Sequence, residues 1–199
     1  MKRYDAAYFQ RWYRDPRSRV ASRADRARKV RMVVGIAEHV LERPLRSVLD
    51  VGCGEGAWQP ILRRLRPGIR YLGVDPSSYA VRRFGRSRNL RAGGLAELDE
   101  HHFRGRFDLV VCSDVLHYLP PRELERGLRH VRELVGGVAY LEVFTAADGF
   151  VGDTNGFRRR SPSYYQRVFQ RVGLVPCGMQ CYVPRELAAQ APALERLPR

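Results

Sequence analysis

The sequence predicts an α/β domain: a doubly wound, mostly parallel sheet of six or seven strands with helices on both faces. Three observations carry this. From residue 47 onward, short apolar runs alternate with stretches whose apolar residues recur at helical spacing. The runs are continuous rather than alternating, as strands buried on both faces must be. Glycine, aspartate and serine gather just after the runs, at the carboxyl ends of strands, where ligands of such sheets bind.

The elements follow in order. Residues 5–14 (DAAYFQRWYR) form one or two helical turns, broken by Asp15-Pro16. Residues 18–42 read as a helix with Val30, Val33, Val34, Ile36, Ala37, Val40 and Leu41 on one face, ended by Pro44. Residues 47–51 are a buried strand and 57–66 a helix, with Pro60 tolerable only near its first turn. A second strand spans 70–74, a helix Ser77 to Gly85, and a weak third strand 89–92. A short helical turn over 95–101 precedes a strong fourth strand, 107–112. Pro121 suits the first turn of a helix to Leu134, and residues 137–144 form a fifth strand. Ser161 as N-cap and Pro162 after it open a helix to Val172. Residues 174–183 form a last strand, bent at Gly178.

The 199 residues suit one domain, long enough to bury a core without disulfide or metal staples. No apolar run approaches the roughly 20 residues of a bilayer span. Met1 to Arg11 lacks an apolar signal-peptide region. Cys53, Cys112, Cys177 and Cys181 form no C-x-x-C pair, so reduced thiols and a cytoplasmic location are expected. The formal charge is +15, carried almost wholly by arginine. Such a charge favours polyanions, but the arginines are spread over several predicted helices, as solvated faces would have them. Only Arg158, Arg159 and Arg160 form a tight run.

The strongest local signal is Asp50-Val51-Gly52-Cys53-Gly54-Glu55-Gly56, between a strand and a helix. Glycines there permit a tight turn and close approach of a ligand. Gly52 to Ala57 also satisfies the dinucleotide pattern G-x-G-x-x-G/A, so charge must decide. A pyrophosphate wants the helix N-terminus free of competing anions. Asp50 and Glu55 instead favour a cation, such as the sulfonium and ammonium of S-adenosylmethionine. At about 4 Å and an effective dielectric near 20, each unit pair is worth about 4 kcal/mol before desolvation. Asp75 ends the second strand, where a carboxylate can accept from both ribose hydroxyls or cap the following helix.

Val48 to Gly56, then Gly73-Val74-Asp75, then Phe107 to Leu119 (FDLVVCSDVLHYL) resemble, in this order, the successive motifs of class I S-adenosylmethionine-dependent methyltransferases. The resemblance covers about residues 45–145. It implies a Rossmann-like sheet of seven strands with the last antiparallel. It further implies that Asp50, Gly52, Cys53, Gly54 and Gly56 face the methionine part and ribose, and that Asp75 holds the ribose hydroxyls with Pro76 beside adenine. The acid that often meets adenine after the third strand is missing, Glu97 and Asp99 coming too late, so backbone groups of Leu95 and Ala96 would serve it. Cys112 and Ser113 would lie near the methyl donor. On this reading the chain divides into a helical cover (1–43), a cofactor-binding core (44–145) and an acceptor-side loop, helix and last strand (146–199).

Methyl transfer from a sulfonium is an in-line displacement, for which orienting the acceptor matters most. A base helps when the acceptor must lose a proton. Asp114, His117 and Tyr118 follow the fourth strand; His117 has a suitable pKa but the sequence around it also suits packing. Glu142 and Thr145 close the fifth strand. No metal-ligand cluster is evident. Acceptor choice should come from Tyr4, Tyr8, Trp12 and Tyr13, with Tyr8 and Trp12 sharing one helix face, and from the loop 146–165, with Arg158 to Arg160 beside the acceptor entrance. A small-molecule acceptor is expected. The alternatives are an RNA-modifying enzyme, for which no RRM, KH or zinc pattern is found, and a protein that holds S-adenosylmethionine without transferring its methyl group.

Overall fold

The computed structural model describes residues 4–191; residues 1–3 of the expected cover and 192–199 of the expected C-terminal part lie outside them. Seven strands form one sheet in the order β3-β2-β1-β4-β5-β7-β6. They are β1 (Ser47–Val51), β2 (Arg70–Asp75), β3 (Leu90–Ala92), β4 (Phe107–Ser113), β5 (Val135–Glu142), β6 (Leu174–Pro176) and β7 (Cys181–Pro184). β1 to β5 pair in parallel, and β7 runs antiparallel between β5 and β6. The order reverses between β1 and β4, which opens a crevice at their carboxyl ends.

The helices are α1 (Ala6–Phe9), α2 (Arg23–Leu41), α3 (Gln59–Leu65), α4 (Ser78–Arg88), α5 (Pro121–Leu134) and α6 (Pro162–Arg171). Two buried clusters flank the sheet. One holds Val30, Val33 and Val34 of α2 and Leu62 of α3 against Val48, Leu109, Val111 and Val138. The other holds Leu124, Leu128 and Val131 of α5 and Val168 and Phe169 of α6 against Leu49, Val110 and Leu141. Successive residues of a strand thus feed opposite cores, which is why the strand runs read as continuously apolar.

Of the boundaries that differ from expectation, three have clear local reasons. The helix expected over 18–42 starts at Arg23, because Ser22 and Asp25 form a reciprocal capping box. The helix from Ser77 runs past Gly85 to Arg88, where Asn89 takes the left-handed cap at φ 55°. The single bent strand over 174–183 is a hairpin of β6 and β7. Gly178, Met179 and Gln180 all have positive φ, so the chain reverses rather than bends.

Candidate functional site

The glycine turn is fixed before any ligand is considered. Gly52 and Cys53 donate backbone hydrogen bonds to Val74 O at 2.8 and 3.2 Å, tying the turn to the end of β2. Gly52 sits at φ +70°, and a Cβ there would lie 2.3 Å from Val115 Cγ2. Gly54, at φ +55°, is covered by the Phe9 ring. The turn therefore needs glycine for both conformation and space.

Two cavities of about 120 Å³ each meet at this turn and share the wall residues Tyr13, Gly52, Ser113 and Asp114. The first is aromatic, walled by Tyr4, Tyr8, Phe9 and Tyr118, with Asp75, Pro76, Gly94 and Leu95 opposite. The second is polar, walled by Asp50, Cys53, Trp58, Arg26, Lys29 and Glu142.

Asp75 is 6% exposed. Its two oxygens accept from Gly54 N at 2.7 Å and Ser77 N at 2.8 Å. An ionised carboxylate has about four acceptor positions, so it keeps capacity for two further donors. Its burial raises its pKa, opposed by those two hydrogen bonds. The helix cap is Ser77, whose Oγ accepts from Ala80 N. Asp50 is 3% exposed and accepts from the Tyr71 hydroxyl at 2.7 Å. Burial pushes its pKa up to about 7, against the lowering effect of that hydrogen bond. A half-satisfied carboxylate in such surroundings favours a cation arriving from the cavity.

Other expected positions move off the walls. Cys112 points into the α5 side of the core and is fully buried, because it alternates with Val111 along β4; Ser113 alone reaches the cavities. Gly56 is a packing glycine: a Cβ would meet Leu90 Cδ2 at 2.8 Å. Ala96 is buried off the wall, and Gly94 and Leu95 form it instead. Glu97 folds back to accept from Gly94 N, and Asp99 pairs with Arg126, so neither faces the cavity. Glu55 turns outward and is engaged by Arg14. The cavity's acids are therefore Asp50, Asp114 and Glu142.

His117 is fully buried, with its ring among Tyr118, Phe144, Phe150 and Phe157. It stands on neither cavity wall. Nδ1 accepts from Phe144 N at 3.4 Å, and Nε2 lies 3.1 Å from Asp114 Oδ1 with no hydrogen bond between them. Its ring packs the loop after β5. Asp114 itself has φ 63°. Glu142 pairs with Lys29 and accepts from Ser113 Oγ. Thr145 donates to Asp148 within its own turn. Arg160 donates to the carbonyls of Leu116 and Leu119, while Arg158 and Arg159 are exposed, so this run lines neither cavity.

The cover also differs in register. Gln10–Arg14 is a π-helical turn, closed by Asp15 N to Gln10 O. Its extra residue per turn rotates Tyr13, not Trp12, onto the face shared by Tyr8 and Phe9. Phe9 stacks on Tyr79, and Trp12 lies under Arg11 instead.

A family model described as a methyltransferase domain matches residues 49–137. The match takes in the glycine turn, Asp75 and Ser113. A trans-aconitate 2-methyltransferase of Deinococcus radiodurans is 36% identical over 108 residues, 51% of this chain and 39% of that enzyme. The matched segment thus spans about two fifths of that relative. Two solved methyltransferases share the fold. The magnesium protoporphyrin IX methyltransferase of Synechocystis PCC 6803, with bound S-adenosylhomocysteine, has TM-score 0.64 and 18% identity over 91% of this chain and 96% of that one. The 1,6-didemethyltoxoflavin-N1-methyltransferase of Burkholderia thailandensis has TM-score 0.53 and 23% identity over 75% and 68%. The methyltransferase motifs coincide with the turn, Asp75 and Ser113 described above. Lys29 and Arg26 lie outside the matched region, and no motif signals them; Tyr13, also outside it, is among the aromatics expected to cover the site.

Proposed function

We propose that this methyltransferase binds S-adenosylmethionine across the two cavities and transfers its methyl group to a small-molecule acceptor. One observation carries the reading. Two buried carboxylates, Asp50 and Asp75, stand at the carboxyl ends of neighbouring strands beside a glycine turn whose Gly52 has no room for a Cβ. The donor set matches the ligand. Asp50 suits its cationic end, Asp75 suits vicinal hydroxyls, and Pro76 with the aromatic wall suits a flat base. When bound, S-adenosylmethionine supplies an electrophilic methyl group on a sulfonium centre.

The protein's share of the chemistry is orientation and exclusion of water. Tyr8, Phe9 and Tyr13 close the groove from above. Asp114, whose Oδ1 is buried without a hydrogen-bond partner among the described residues, and Glu142, held by Lys29 and Ser113, present acceptor atoms at the ends of β4 and β5, where an acceptor's donor group can be held. The named relatives and structural neighbours are named for small molecules: trans-aconitate, magnesium protoporphyrin IX and 1,6-didemethyltoxoflavin. Arg26 and Lys29 give the polar cavity a cationic wall suited to a carboxylate, whether the acceptor's or the cofactor's own. Calorimetry with S-adenosylhomocysteine and with NAD tests the first half. Binding of the former and not the latter is expected, and the reverse refutes it. Methyl-labelled cofactor added to fractionated extract tests the second half. Label in small molecules is expected; label in RNA, or neither transferred label nor adenosylhomocysteine formed, refutes it.

A further inference from the structure

The scattered arginines of the sequence converge in space. A cleft of about 850 Å³ opens on the α2 side of the sheet, outside the glycine turn. Arg14 and Arg19 reach it from the N-terminal segment, and Arg23 and Arg26 from the first turns of α2. Arg64 of α3 and Arg83 and Arg88 of α4 form the far wall. Among the described residues the single acid on its walls is Glu55, already held by Arg14. Arg26 is half-buried, burial depresses its pKa, and no ion pair to it exists among the described residues.

We propose that this cleft binds a compact polyanion, a small molecule carrying two or more phosphate groups. Like charges drawn together in a recess repel one another unless a counter-charge sits among them. One monoanion cannot answer seven guanidinium groups, whereas a chain of phosphates offers several charges within a few ångströms and matches the planar fork of arginine. The size is that of a small-ligand site. An RNA strand fits less well. Strand binding wants open aromatic faces for stacking, but Arg83 and Arg88 both lie over the Phe84 ring, at 5.5 and 4.3 Å from its centroid. The basic residues of α5 face the opposite side of the sheet, so they do not extend the cleft into a track. Tyr13, Ala21, Arg26 and Ala57 wall both this cleft and the polar cavity. The phosphates therefore belong either to a separate ligand or to the tail of the acceptor.

The test is calorimetric titration of the full chain with inorganic tripolyphosphate, at about 150 mM salt to screen diffuse attraction. Saturable binding of one equivalent is expected. The exposed pair Arg64→Glu with Arg83→Glu should weaken it at least about tenfold, through loss of two charge-assisted contacts. The pair Arg122→Glu with Arg129→Glu, on α5, changes net charge equally and should leave it unchanged. Affinity for S-adenosylhomocysteine should be retained in both, so failure here leaves the cofactor reading standing. Absence of saturable binding, equal losses in the two double variants, or tighter binding of a short single-stranded RNA to the same arginines each overturns the proposal. Inhibition of label transfer by tripolyphosphate assigns the phosphates to the acceptor; undiminished transfer with tripolyphosphate bound assigns them to a separate ligand.

Discussion

Asp50 makes cofactor affinity depend on pH in a direction opposite to apo-protein stability. Its carboxyl is buried beside the Tyr71 hydroxyl, and its pKa rises from 3.8 to about 7. A cationic ligand is attracted to the ionised form, so each proton bound by the free protein below pH 7 must leave on binding. Between pH 7.5 and 5.5 a single site with that pKa costs about 25-fold in affinity, or about 2 kcal/mol. The upper limit keeps clear of the ligand's own amine, which titrates near ~8. The stability sign is the reverse. The folded state holds a proton that the unfolded chain releases, so Asp50's contribution grows as pH falls through about 7 and is complete below about 4. Calorimetry with S-adenosylhomocysteine across this range, beside apo melting curves, reads both. Asp50→Asn should flatten the affinity profile and bind weakly throughout. Tyr71→Phe removes the hydrogen bond that favours the ionised form, and should move the midpoint upward. A flat wild-type profile, or a slope that survives in Asp50→Asn, refutes the assignment of the cationic end to Asp50.

Asp75→Ala should weaken S-adenosylhomocysteine binding by about 1.5–3 kcal/mol, the usual value of hydrogen bonds to a charged group. A loss of stability with affinity unchanged would make Asp75 merely a brace for Gly54 and Ser77. Gly52→Ala should abolish cofactor binding while circular dichroism stays native, since its Cβ would meet Val115 Cγ2 at 2.3 Å with φ +70°; measurable affinity within tenfold of wild type contradicts the close-approach argument. Removing residues 1–15 should leave a folded protein that binds and turns over poorly, because Tyr13 walls both cavities and Phe9, 2% exposed, walls the aromatic one. Full activity of the truncated chain would show that the roof is dispensable.

The sheet was legible because its strands are buried on both faces and its ligand groups sit at strand ends. Asp50 and Asp75 follow apolar runs directly, so their place at the crevice follows from topology alone. The glycine turn was legible for a similar reason, a local conformation with few alternatives. Cys112 was misplaced by one residue of strand register. Period-two alternation sends it to the core and Ser113 to the cavity, and the extra reach of β4 to Ser113 lies beyond the expected end at 112. The hairpin after β6 was hidden because Met179 and Gln180, which take positive φ, are not residues that announce a turn.

Side-chain convergence is the part that a linear reading resolves least, and the arginines illustrate why. Arg14, Arg26, Arg64 and Arg88 belong to four segments separated by folds of the sheet, and helical spacing within each segment says only that they avoid the core. Their meeting depends on packing α2 against α3 and on the π-helical turn that carries Arg14 to Glu55. The same turn decides which aromatic ring roofs the cavities. Ordinary α-spacing pairs Tyr8 with Trp12, while one inserted residue delivers Tyr13 and releases Trp12 to the surface arginine beside it. A single hydrogen bond from Asp15 to Gln10 thus sets both the roof of the polar cavity and the inner edge of the arginine cleft. Ligand in one is thereby placed to influence the other through Tyr13 and Arg26, which wall both spaces together with Ala21 and Ala57.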